Sequence, residues 1–224
     1  RHARIAYPIA PRFDALKSEI DNGRPVLILQ NLGLDIAPQW HYAVVVGYAS
    51  DHLILRSGTT DRLVVSRTRF AATWERAGHW GLVILRPGEL PTAADEQRYA
   101  AAVAPLERIG RWEEARIAWQ AALERWPRSL VTLMGLGNAD YALGDLRGAW
   151  QRFERAVAAH PDAAAAHNNL AHVLGELGLR EKALVHAQRA VALGGPTTDT
   201  ALATLRDRKS TRLNSSHLVI SYAV

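Results

Sequence analysis

Gly110, Gly144 and Gly178 stand 34 residues apart each time. Ala115, Ala149 and Ala183 keep the same interval, as do Ala122, Ala156 and Ala190. Trp119 and Phe153 repeat it, and so do Pro127 and Pro161. A fixed period of this length in small, turn and aromatic residues means one helix–turn–helix unit repeated along the chain. No other feature of the sequence narrows the fold as far.

Each residue type follows from its place in the unit. The glycines fall where a first helix ends, a position that favours left-handed backbone and hence no side chain. The alanines lie where helices approach closely and a larger group would force them apart. Trp119 and Phe153 fill the space beside them, and the prolines stop a helix that would otherwise run on. Apolar spacing within the units is helical: Leu133, Leu136 and Leu143, then Phe153, Ala156 and Val157, then Leu170, Leu174 and Leu177.

The segment "LMGLGNADYALGDLRGAWQRFERAVAAHP" closely resembles the tetratricopeptide repeat family. The first unit departs slightly, with Tyr99 and Ala102 in place of the larger pair, and the third shifts by one residue at Gly194, Gly195 and Pro196. The resemblance implies three hairpins over 96–206, including a capping helix begun by Ala201–Leu205, since such stacks must cover their last apolar face. It also implies a curved stack whose first helices line a groove for a protein or peptide ligand. Asn138, Tyr141, Asn168, Asn169 and His172 would face that groove. An Asn can both donate to and accept from a ligand's backbone amide. The alternative keeps these residues as solvated helix positions or hairpin-to-hairpin hydrogen bonds. Lysine pairs that could grip a ligand's terminal carboxylate are absent.

Residues 1–88 read differently, with a period near two and frequent turn signals. Phe13, Leu16 and Ile20 predict a short helix closed by Asn22 and Gly23. Strands are expected at Pro25–Gln30, His41–Tyr48, Leu53–Arg56, Leu63–Val65 and Trp80–Leu85, with a second short helix at Phe70–Ala77. Residues 89–95 read as a linker, overlapping the Pro- and Gly-bearing stretch Arg86–Ala94. The fold class is therefore α+β: an antiparallel sheet half, then an all-α stack.

The run "GRPVLILQ", "WHYAVVVGY" and "HLILRSG" resembles the C-terminal part of papain-like cysteine peptidases, nearest to the bacteriocin-leader-processing type (cysteine peptidase family 39). That resemblance implies a bacterial cell envelope or periplasmic setting, and a catalytic role for His41 as the base that deprotonates a cysteine thiol. Ser57 occupies the place of the family's partner Asp. A hydroxyl can orient an imidazole but cannot stabilise its charged form as a carboxylate does. Read without the resemblance, His41 is a polar residue at a strand end. The sequence contains no cysteine, so thiol catalysis is excluded for these residues as they stand. The start at Arg1, in what reads as mid-domain sequence, leads us to expect a truncated parent. A half-domain of this kind should expose a large apolar face.

Three functions stay open at this stage: an interaction protein, an active peptidase whose repeats choose substrate, and a pseudoenzyme scaffold. No metal or cofactor is implied, because His41, His52 and His79 lack metal-ligand spacing and there is no Gly-rich phosphate loop. The net charge is +5, of which the last sixteen residues contribute +2. Elsewhere bases alternate with acids, as in Arg108, Arg111, Glu113, Glu114 and Arg116, a solvated helix face rather than a nucleic-acid footprint. No apolar run approaches the roughly 20 residues needed to span a bilayer. Residues 207–224 break the composition abruptly and read as a non-native tail, with an edge strand at Leu218–Val224 as the alternative.

Overall fold

The computed structural model describes residues 3–194. Residues 195–224, which hold the expected capping helix and the tail, lie outside the described part. The chain divides into two compact units, Arg1–Ala102 and Val103 onward.

The first unit is a six-stranded antiparallel sheet with two helices. Its strands are β1 (Ile5–Pro8), β2 (Val26–Asn31), β3 (Trp40–Tyr48), β4 (His52–Ser57), β5 (Thr60–Ser66) and β6 (Gly81–Leu85). Helix α1 (Phe13–Asp21) precedes β2, and α2 (Arg67–Glu75) precedes β6. The order across the sheet is β1-β6-β2-β3-β4-β5. The expected helices and strands each occur with ends shifted by at most three residues, while β1 was not anticipated. It is four residues long, pairs only with β6, and ends in Pro8, so its alternation is too brief to stand out.

Strand alternation sorts the side chains. Val26, Ile28, Ala43, Val45, Leu53, Leu55, Val83 and Leu85 are buried, as are Leu16 of α1 and Phe70 and Trp74 of α2. Full burial of each large apolar side chain contributes about 1.5–3 kcal/mol. Trp40, Tyr42 and Ile84 remain exposed, Ile84 between buried Val83 and Leu85, and Tyr42 meets Trp80 edge-on at 5.8 Å. An exposed apolar sheet face is thus present.

The stretch expected as a linker is pinned to this unit. Tyr7 Oη accepts from the Asp95 amide at 3.0 Å, and Glu19 Oε1 accepts from the Thr92 amide at 2.7 Å. Arg24 spans Glu19 and Thr92. Glu19 is buried, and these charge-assisted bonds offset its desolvation. The boundary between units consequently falls within the next helix.

That helix is α3 (Glu96–Arg108), followed by α4 (Trp112–Arg125), α5 (Leu130–Ala142), α6 (Leu146–Ala159), α7 (Ala164–Glu176) and α8 (Arg180–Ala192). The three periodic glycines have φ of +73°, +81° and +77°. After each, the next amide reaches back to a carbonyl five residues earlier: Arg111 to Leu106, Asp145 to Asp140, and Leu179 to Leu174, at 2.8–2.9 Å. This closure satisfies the orphan carbonyls of a helix end and needs a left-handed residue. Asp145 Oδ1 then caps α6 by accepting from the Gly148 amide, and Ser129 Oγ caps α5 by accepting from Thr132. The six periodic alanines are all buried. No described helix is long and apolar enough to cross a membrane.

Candidate functional site

In the sheet unit, the β3–β4 register pairs Val44 with Arg56 and so brings the end of β4 beside the start of β3. His41 Nε2 lies 2.6 Å from Ser57 Oγ, a partly buried contact. Its neighbour in the ladder, Gln30, is buried and donates to Thr73 Oγ1 of α2 at 2.6 Å. The two residues singled out in this half therefore touch. Among the described residues, no cluster of three His, Cys, Asp or Glu could hold a metal.

In the helical unit the five candidate groove residues fall into two sets. Asn138, Asn168 and Asn169 are buried. Asn169 Nδ2 donates to Asn138 Oδ1 at 3.1 Å, joining α7 to α5, and Asn168 Nδ2 donates to Asn169 Oδ1 at 3.4 Å. Asn168 Oδ1 is left without a partner among the described residues. These amides are spent on one another, as in the hairpin-to-hairpin alternative. Tyr141 and His172 form the second set and are only partly buried. Tyr141 Oη donates to Glu176 Oε1 at 2.6 Å and lies 3.0 Å from His172 Nε2. His172 Nε2 is also 3.1 Å from Glu176 Oε1, with a quarter of each side chain exposed.

Residues 137–178 match the TPR repeat family.

The matched stretch runs from Gly137 on α5 to the closing glycine of α7, and thus contains the whole Asn–Tyr–His–Glu set. Solved structures similar to about half of this chain are 15–22% identical to it. One is MamA, with TM-score 0.46, 18% identity, and coverage of 50% of this chain and 64% of that one. The first TPR of Spaghetti (RPAP3), solved with the HSP90 peptide SRMEEVD, has TM-score 0.47 and 19% identity. It covers 50% of this chain and 88% of its own. The translocator chaperone SycD of Yersinia enterocolitica has TM-score 0.46 and 17% identity, covering 50% and 86%. No curated protein sequence matches the chain.

The helical hairpins also carry polar groups that the sequence does not single out. Glu107 is buried and accepts from Trp119 Nε1 at 2.7 Å; burial raises its carboxyl pKa despite that bond. Asp140 is buried facing Arg152 at 3.6 Å and Arg116 at 3.9 Å, and burial raises its pKa as well. His167 Nδ1 meets His186 Nδ1 at 3.0 Å, while His167 Nε2 donates to the Pro161 carbonyl. These groups tie helices of the stack together. Glu176 differs in reaching solvent. Its signal in the sequence was the spacing of four from His172, which places both on one helical face.

Proposed function

We propose that the TPR unit is a protein- or peptide-binding module whose ligand lies against the first helices of its hairpins, α5 and α7. The observation that carries this reading is the Tyr141–His172–Glu176 cluster. It joins two hairpins, is partly exposed, and presents polar atoms held in place by one another. Pre-ordered side chains of this kind lose little entropy when a ligand arrives. Asn138 and Asn169 support the face from behind by fixing α5 against α7.

The test is capture of peptides from a random, N-acetylated and C-amidated library by the full chain. A Tyr141→Ala/His172→Ala double variant, with unchanged helicity, should lose the peptides that the parent enriches. Equal enrichment by both proteins would dismiss α5 and α7 as the binding face.

A second reading concerns the sheet unit, and the His41–Ser57 contact favours it. In this reading the unit is the C-terminal part of a papain-like cysteine peptidase fold, with His41 as base and Ser57 orienting its ring. The thiol would have to come from residues beyond this sequence. If the gene supplies such a cysteine, His41→Ala in the full-length protein should abolish peptide cleavage and leave the TPR hairpins folded. Unchanged turnover would remove His41 from the mechanism. A gene without that cysteine leaves a scaffold.

A further inference from the structure

We infer that the α5–α7 face selects a cationic ligand, with a lysine or arginine side chain of a bound peptide seated on Glu176, and turns acidic peptides away. This rests on the binding face proposed above and adds the chemistry of what binds there.

The first support is how charge is divided among the helices. The helices that follow the periodic glycines carry the cations: Arg116 and Arg125 on α4; Arg147, Arg152 and Arg155 on α6; Arg180, Lys182 and Arg189 on α8. Helices α5 and α7 contain no Lys or Arg, and one carboxylate each. Asp140, the carboxylate of α5, is 4% exposed and faces Arg116 and Arg152, so it belongs to the interior. Glu176 is therefore the one carboxylate that α5 and α7 offer to a ligand. A face without Lys or Arg has no permanent cation to neutralise an acidic peptide.

The second support is how Glu176 is held. A tyrosine hydroxyl has one proton, and Tyr141 directs it at Oε1. Burial, reinforced by that carboxylate, raises the Tyr141 pKa, so the proton stays in place. His172 Nε2 approaches the same Oε1. Both partners converge on one oxygen, and Oε2 has no bond to any described residue. The carboxylate is oriented by two neighbours at Oε1 and a quarter exposed. An ammonium or guanidinium group can pair with it, and an arginine fork could use Oε2 while stacking on the Tyr141 ring.

The net charge of the chain argues against a trivial cause. At +5 the molecule repels cationic peptides at long range. A preference for them must arise at a local site.

Sequencing the library peptides captured by the full chain tests this. We expect Lys and Arg enriched about two- to fivefold over Asp and Glu, the range a partly exposed ion pair supplies. Glu176→Gln, which keeps the shape and accepts from Tyr141, should erase the bias while still capturing peptide. Tyr141→Phe should keep the bias, since Glu176 remains. A flat or acidic pool from the parent chain, or a cationic bias that persists in Glu176→Gln, overturns the inference. If captured peptides are lost in Tyr141→Ala/His172→Ala yet show no cationic bias, the binding face stands and only its proposed chemistry fails. If the parent captures nothing beyond blank resin, both readings fail.

Discussion

Gly137 of α5 lies against the ring of Phe153 on α6, so close that a Cβ added to it would stand 2.5 Å from the ring's Cε1. Gly135 meets Trp119 of α4 in the same way, at 2.4 Å from Cε2. A single helix therefore uses two glycines to admit an aromatic ring from each neighbour.

Helix propensity alone would favour alanine at Gly137 by about 1 kcal/mol. Packing reverses the sign, because the Phe153 ring is buried and has little room to retreat. Gly137→Ala should destabilise the helical unit by about 1–3 kcal/mol, read from urea unfolding. Adding Phe153→Leu, which shrinks the ring's claim on that space, should recover part of the loss. A Gly137→Ala variant as stable as the parent would show that the two helices can part cheaply.

Asn138 and Asn169 are both buried and bonded to each other. Asn138→Ala strands the Asn169 amide and should cost about 1–3 kcal/mol. The double variant should lose less than the two single losses added together, because neither side is then left unpaired. Additive losses would remove the bond between them from the account.

Glu107 gives a pH-dependent prediction. Its carboxyl pKa is raised, burial outweighing the Trp119 bond, so the folded state holds this proton more tightly than the unfolded one. The resulting penalty is absent below the ordinary value of about 4.3 and fully present above the folded pKa. Glu107→Gln, which can still accept from Trp119, should stabilise the protein at pH 7 by on the order of 1 kcal/mol. That advantage should shrink on acidification, as thermal melts at several pH values would report. A constant advantage at every pH would rule out the titration.

His186 runs the opposite way. Burial and the adjacent His167 lower its pKa, with Glu154 opposing. His167 donates through Nε2 to Pro161, and in that tautomer of the neutral ring its Nδ1 accepts from His186 Nδ1–H. The unfolded state binds the His186 proton more readily, so stability should begin to fall as pH drops below about 6.5. The loss should be modest, because His186 is only partly buried and solvent screens its interactions. His186→Gln can donate in the same direction without titrating, and should flatten the dependence between pH 7.5 and 5. An equally steep profile in that variant would assign the acid loss elsewhere.

The helical half was legible because its signal is redundant. Gly110, Gly144 and Gly178 must each be left-handed, and the alanines must each be small, so the constraint is written three times. The sheet half was legible wherever a strand was long enough to alternate, which β1 is not. Depth was hidden. Nothing in "NADY" or "HNNL" tells whether an asparagine meets a ligand or the next hairpin, since both lie on the same helical face. The His41–Ser57 contact needed a register that places the ends of β3 and β4 side by side. Glu176 was passed over because it ends its helix, where a carboxylate reads as ordinary solvated surface.

The recurring left-handed closures also govern which lengths of chain this half can tolerate. Excising or duplicating one whole period, for instance by joining Gly110 to Asp145, returns every helix to a neighbour with the same stripe of small residues. Gaining or losing a single residue inside a helix instead turns everything beyond it by about 100° and swings the alanine stripe into water. Growth of the array in complete units is cheap, and growth by fractions is closed to it.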